Sequence, residues 1–342
     1  MTTRFKFLWI DDDAKRIDDY RATIEGGVPG RPWTSRIEPL VVTKRLLEQL
    51  NERLESSKPR PDLIIIDHVF TKLNNPLKLK GSSVASLLRG AWPDIPMVCV
   101  TAMFTKGGST FDQQDLSEYT AVFEYPHLDN HLEDLFLIAK DFPKLKVKSS
   151  DLRDDVISTL KAPKGDRDGL KHVLPEEFRT QLHGTTRHRV ARWIFNTLMK
   201  RPGFLYNKLR AATYLGLTEI GFEKVSKIFE RARYAGPFAS DKRPLWWASE
   251  LSKLMYANVS DDAPDIPQLA GRKLQGIRSN HYSVCYVTRS SVQFPDAVAS
   301  VDSRSPIERA VHSRYTAVDL TDVGVPAGFE QRLVIARKSK RK

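Results

Sequence analysis

The sequence has only two cysteines, Cys99 and Cys285, in 342 residues. That is too few for a disulfide framework or a cysteine-built metal centre. No apolar run approaches the ~18 residues of a membrane span. The amino terminus, MTTRFKFLWIDDD, meets charge before an apolar signal core can form. There is no glycine-rich, lysine-bearing phosphate loop and no dinucleotide fingerprint. The histidines His172, His183, His188, His281 and His312 stand at no zinc-ligand spacing, and no nucleophile motif accompanies them. Internal repeats and long low-complexity segments are also missing. These absences predict a cytoplasmic, non-membrane chain that is not an enzyme. With 41% hydrophobic and 28% charged residues, it is long enough for two or more globular domains.

The first half is organised around Pro61–Phe70, reading PDLIIIDHVF. Leu63, Ile64, Ile65 and Ile66 run without alternation, and three of them are β-branched, as in a strand covered on both faces. The run stops at Asp67. Phe5–Ile10 likewise runs into Asp11, Asp12 and Asp13, and Pro96–Val100 into Thr101 and Ala102. Strand candidates at Glu38–Val42 and Ala121–Tyr125 alternate with helical patterns at Lys15–Glu25, Thr43–Ser57, Ser82–Arg89, Asp112–Tyr119 and Leu132–Lys140. That alternation predicts an α/β domain with a doubly wound, five-stranded parallel sheet. Carboxylates at strand ends are costly unless solvated, paired or metal-bound. A Mg²⁺ site and an acidic pocket paired to a neighbouring base are both open readings. Asp13 is expected to cap the following helix, and His68 to pack locally or face solvent. Met103–Thr110, with Gly107 and Gly108, is expected to be a mobile loop.

Over residues 3–140 this arrangement resembles the receiver domain of bacterial response regulators. The resemblance implies a flavodoxin-like fold. It places Asp11 and Asp12 on the acidic pair that, with Asp67, binds a divalent metal such as Mg²⁺. It places Asp67 on the phospho-acceptor and Thr101 on the hydroxyl that contacts the phosphoryl group. One position departs. Where the family ends its fifth strand with Lys-Pro, this chain has Tyr125-Pro126. A phenol donates one hydrogen bond but carries no positive charge near neutral pH. The segment His68–Lys80 is also longer than the family's usual turn. The resemblance is therefore to an atypical receiver, acting as a fixed docking surface rather than a phosphorylation switch.

The net charge of +12 is unevenly placed. Residues 1–150 hold 21 Lys/Arg against 21 Asp/Glu, and residues 151–342 hold 33 against 21, so the whole excess lies in the second part. An anionic partner, nucleic acid first, competes with plain solubility and a basic tail, Arg337–Lys342. Arg187, Arg189 and Arg192 are the candidate nucleic-acid contacts. Helices are predicted at Pro175–Leu182, Arg187–Lys200, Phe204–Tyr214, after a Thr218 cap with Phe222, Val225, Phe229 and Ala232 inward, and at Pro244–Ala257. Leu205–Tyr234 has a helix-turn-helix outline, but Glu219, Glu223 and Glu230 on its outer face favour a plain packed hairpin. Trp246 and Trp247 cannot share one helix face, so one is expected in the core and the other over a neighbour. Ser260–Arg278 reads as a loop. Tyr282–Thr288 reads as a strand pairing with Ala297–Val301, and Arg332–Ala336 as a last strand.

The expected organisation is a receiver-like domain over 1–140, a linker over 141–170 and a helical domain over 171–258. A mixed loop/β piece over 259–336 and a basic tail over 337–342 follow. The expected function is non-enzymatic signalling or adaptor work, through a protein partner or self-association of the receiver-like domain. The alternative is a response-regulator-type transcription factor, or another DNA-binding protein, using residues 171–342.

Overall fold

A computed structural model describes residues 2–70, 79–102, 113–145, 152–179, 186–291, 296–302, 305–322, 324–326 and 328–336. The predicted loop Met103–Thr110, most of the segment after His68 and the basic tail Arg337–Lys342 lie outside these residues. The chain divides into two compact units, one of residues 1–159 with 176–196, the other of residues 160–175 with 197–342.

In the first unit, β1 (Thr3–Asp11), β2 (Trp33–Val41), β3 (Leu63–Ile66), β4 (Met97–Thr101) and β5 (Ala121–Glu124) form one sheet in the order β2-β1-β3-β4-β5. Every neighbouring pair is parallel. The connecting helices are α1 (Ala14–Glu25), α2 (Leu46–Glu55), α3 (Gly81–Ala91), α4 (Gln113–Ser117) and α5 (Leu132–Asp141). The strand order is the flavodoxin-like one of doubly wound folds. All four residues of β3 are buried, as their unbroken apolar run predicts. Alternate strand residues face opposite layers. Leu8, Ile10, Ile64, Ile66, Met97 and Cys99 share one core with Leu46 and Leu50 of α2 and Val84 and Leu88 of α3. On the other face, Phe136 of α5 meets Phe5 and Phe7 at ring distances of 5.5 and 5.2 Å. Cys99 is a buried filler, as expected.

Past the sheet come α6 (Leu152–Leu160), α7 (Lys164–Val173) and α8 (Thr186–Trp193). The linker over 141–170 was expected to hold one helix, Asp151–Leu160, which α6 matches; α7 is a second one, because Pro163 starts it and Leu170 is buried on it. Packing also groups residues 176–196 with the first unit, which composition alone does not show. Helix α8 ends in a π-helical turn, Ile194–Leu198, where one regular helix to Lys200 was expected.

In the second unit, Leu205–Tyr206 (β6) replaces the start of an expected helix, and α9 (Lys208–Tyr214) follows an Asn207 cap. Gly216 turns the chain at φ +68°, and a Cβ there would lie 2.2 Å from the Gln268 carbonyl oxygen, so glycine is required. Thr218 caps α10 (Glu219–Val225), its Oγ1 accepting from Gly221 N–H at 3.1 Å. Phe222, Val225, Phe229 and Ala232 are buried as expected. Trp246 and Trp247 are not helical. They form β7 (Trp246–Trp247), antiparallel to β6, ahead of α11 (Ala248–Tyr256) and α12 (Pro267–Gly271). Both are buried, because adjacent strand residues point to opposite faces: Trp246 packs on Phe222 at 5.0 Å and Trp247 on Tyr234 at 5.8 Å. Tyr282–Thr288 is not a strand either. Cys285 accepts from Arg289 N–H, and Arg289 has φ +59°, so the segment turns. A four-stranded sheet ordered β10-β11-β8-β9 is built instead from β8 (Ala297–Asp302), β9 (Ser305–His312), β10 (Thr316–Val318) and β11 (Leu333–Ile335).

Candidate functional site

In this strand order the chain leaves β1 for β2 on one side and returns to β3 on the other. The crevice outside the carboxyl ends of β1 and β3 is the switch point where such sheets hold ligands. Asp11 ends β1 and Asp67 follows β3, its N–H bonded to the Ile10 carbonyl at 3.0 Å. Asp11, Asp12 and Asp67 are all buried, and each offers a carboxylate oxygen within 4.8 Å of the others. By that spacing and hard oxygen chemistry, the three could hold a divalent ion. Such an ion would neutralise the carboxylates and any phosphoryl oxygens placed on Asp67.

The same carboxylates are engaged by this chain's own groups. Asp13 caps α1, accepting from Lys15 N–H at 3.1 Å, and its own N–H donates to Asp11 Oδ1 at 2.8 Å. That cap aims the first turn of α1 over the strand ends. Helical side chains lean toward the N-terminus, so Arg16 reaches back to the pocket. Its Nη1 lies 2.6 Å from Asp67 Oδ2, 3.3 Å from Asp11 Oδ1 and 3.4 Å from Asp11 Oδ2. Tyr125 donates its hydroxyl to Asp11 Oδ2 at 2.6 Å, and its ring lies 4.8 Å from the Arg16 guanidinium carbon. The Tyr125 ring stacks on Trp9, and Tyr20 donates to the Tyr125 carbonyl at 2.9 Å.

Burial dominates the electrostatics. It raises Asp11 above the ordinary carboxylate range, against hydrogen bonds from Tyr125 and Asp13 and the charge of Arg16. Burial and the neighbouring Asp11 charge push Asp67 up to about 7, against the pull of Arg16. Burial, then the charges of Asp67 and Asp11, drive Tyr125 well above the ordinary phenol value, so it stays protonated and donates. Burial opposes the charged form of Arg16, but Tyr125, Asp67 and Asp11 outweigh it and hold the guanidinium as a cation.

Asp11, Asp12, Asp67 and Tyr125 thus converge as the sequence predicts. Thr101 ends β4 at the same rim, buried, with Glu124 opposite it in register and Tyr125 directly after β5, opening a 3-10 turn. Asp13 is the helix cap expected of it. His68 is buried, its Nε2 3.7 Å from Asp115 Oδ2, and so packs locally rather than facing solvent. Arg16 is the residue that sequence reasoning missed. Its signal was the run DDDAKR, one helical turn after a cap, with no lysine at Tyr125 to balance the acids.

The three candidate nucleic-acid arginines lie elsewhere, on α8. Arg187 forms an ion pair with Asp94, Arg192 donates to the Ser117 carbonyl, and Arg189 is also engaged. The contacts of Arg187 and Arg192 lie within the first unit, and none of the three arginines stands unengaged.

No protein-family model and no curated protein matches the sequence. Among solved structures, a Francisella response-regulator receiver domain is 18% identical, with 40% of this chain and 99% of that one covered at a TM-score of 0.28. The signal receiver domain of an HD domain-containing protein from Pseudomonas fluorescens is 12% identical, with 42% and 100% covered at 0.29. A Burkholderia pseudomallei response regulator, solved with a phosphorylated aspartic acid, calcium and citrate, is 16% identical, with 57% and 99% covered at 0.27. The fold rests on strand order and strand-end residues rather than on these weak likenesses. On that ground, residues 3–141 have the doubly wound, flavodoxin-like fold that receiver domains share, with tyrosine at the position where the resemblance expects lysine.

Proposed function

We propose that this chain is a non-enzymatic signalling adaptor whose receiver-fold unit serves as a fixed docking surface, coupled to a basic second unit. The observation that carries the reading is the Tyr125–Asp11 hydrogen bond at 2.6 Å, made from the position where the resemblance expects a lysine ammonium. A phosphoryl group on Asp67 would add roughly −1.5 to −2 charges at pH 7 to a buried pocket that already holds two more carboxylates. A lysine's charge-assisted contact, ~1.5–3 kcal/mol and comparable with the few-kcal/mol gap of a two-state switch, is not made from the end of β5, and the Arg16 guanidinium beside Asp67 is already shared with Asp11. The domain therefore stays in one conformation and presents one surface to a protein partner or to a second copy of itself.

The test compares wild type with Asp67→Asn, in cells and with a small-molecule phosphodonor and Mg²⁺. The expected result is no lasting adduct on Asp67 and signalling output retained by the variant. A stable phosphoaspartate whose loss abolishes output would make the protein a working response regulator. A second reading, DNA binding, is favoured by the positive excess of residues 151–342 alone. A salt-dependent DNA shift assay addresses it, because each phosphate contact contributes a slope of about −0.9 in log K against log salt.

A further inference from the structure

We infer that Arg16 is the resident cation of the strand-end pocket, standing where a divalent ion would otherwise sit, so that wild-type protein needs no metal to hold this site together. The inference rests on the docking reading above and names the means by which the pocket is kept in one state.

The geometry is that of a bridging ion. A single nitrogen, Arg16 Nη1, lies within 2.6 Å of Asp67 and within 3.3 Å of Asp11, so one positive centre spans the ends of β1 and β3. A metal binding these two carboxylates would need the same oxygen lone pairs and the same space. Arg16 does not give them up by titration, since a guanidinium keeps its proton at any physiological pH. Three further features hold it in place. It leaves the first turn of α1, whose start is fixed by the Asp13 cap. Its plane is supported by the Tyr125 ring. Tyr125 in turn is held between Trp9 and the Tyr20 hydrogen bond to its carbonyl, while its hydroxyl covers Asp11 Oδ2. The tyrosine that removes the expected positive charge from β5 thus helps seat a positive charge arriving from α1. Metal entry requires Arg16 to swing out, which leaves both carboxylates to the ion and strips the guanidinium of its two charged partners.

The test is a titration of the full chain with Mn²⁺ alone, following the electron-spin-resonance signal of the free ion, with folding checked by circular dichroism. Wild type is compared with Arg16→Gln, Arg16→Lys and the double variant Arg16→Gln/Asp67→Asn. Arg16→Gln is expected to gain one Mn²⁺ site at least about tenfold tighter than any in wild type, the equivalent of one charge-assisted contact. The double variant should lose that site, assigning it to this pocket. If Arg16→Gln fails to fold, Arg16→Lys decides, since its ammonium stops short of the position of Nη1 and loses the planar support of the Tyr125 ring, and so should still raise Mn²⁺ affinity. Equal Mn²⁺ affinity in wild type and the folded Arg16 variants overturns the inference, whether all bind or none does. The outcome is separable from the docking reading. Tight metal binding by wild type with output unchanged in Asp67→Asn removes only the resident-cation role. Loss of output in Asp67→Asn, with the expected Mn²⁺ pattern, removes only the docking reading.

Discussion

At the scale of single residues, the pocket is a balance between buried acids and the few groups that face them. Tyr125 supplies one of Asp11's donors. Removing a buried partner leaves the desolvation of the other unanswered, about 1–3 kcal/mol. Tyr125→Phe is therefore expected to lower unfolding free energy by that amount, measured by urea denaturation at pH 7, while keeping the ring stack on Trp9. Restoring the expected lysine is a different matter. Tyr125→Lys would put a second cation beside Arg16 and remove the ring under the guanidinium, so the variant should be less stable than Tyr125→Phe, and not a regained switch. Asp11, Asp12, Asp67 and Tyr125 were legible because each ends an apolar strand run, and run ends are visible in one dimension. Arg16 was not, because its role depends on the direction a side chain takes from the first turn of a helix.

Among the elements, α8 carries two readings at once. Its basic residues suggest a nucleic-acid surface, and its apolar side is held in the first unit. Phe195, in the π turn, makes an edge contact with Phe123 of β5 at 6.2 Å, and Asn196 donates to the Thr120 carbonyl at 2.9 Å. Phe195→Ala should destabilise the unit by roughly 3–5 kcal/mol, as for other buried aromatic truncations, seen as a lower melting temperature. His188 is buried against Phe142 and donates Nε2–H to the Pro93 carbonyl at 3.1 Å. Burial, then the charges of Arg89, Arg187 and Arg192, lowers it to about 3. A His held neutral when folded contributes stability that is present above its ordinary value near 6.5. That stability is lost as pH falls toward 3, because only the unfolded chain takes up the proton across this window. Below pH 6 wild type should lose about 1.4 kcal/mol per pH unit relative to His188→Gln, measured by denaturant melts at pH 6, 5 and 4.

For the whole molecule, the uneven charge decides which partners are plausible but not where they bind. Arg192→Glu should lower the melting temperature more than Arg187→Glu. Arg192 donates to a backbone carbonyl, while Arg187 pairs with an exposed Asp94, and exposed pairs are worth ~0–1 kcal/mol. If instead both reversals leave stability intact and abolish DNA binding, α8 is a nucleic-acid surface. The sequence by itself determined the five-stranded parallel sheet, its strand-end acids and the tyrosine at the close of β5. Continuous apolar runs specify buried parallel strands, and their ends specify the rim. It also determined the Thr218 cap and its core stripe, which are local patterns within one or two helical turns. Only the tertiary structure decided that Trp246 and Trp247 lie in a strand, that residues 176–196 pack with the first unit, and that Arg16 bridges Asp11 and Asp67. Each of these depends on contacts between residues far apart in the chain or on the direction of a side chain in space, and neither is written in local periodicity.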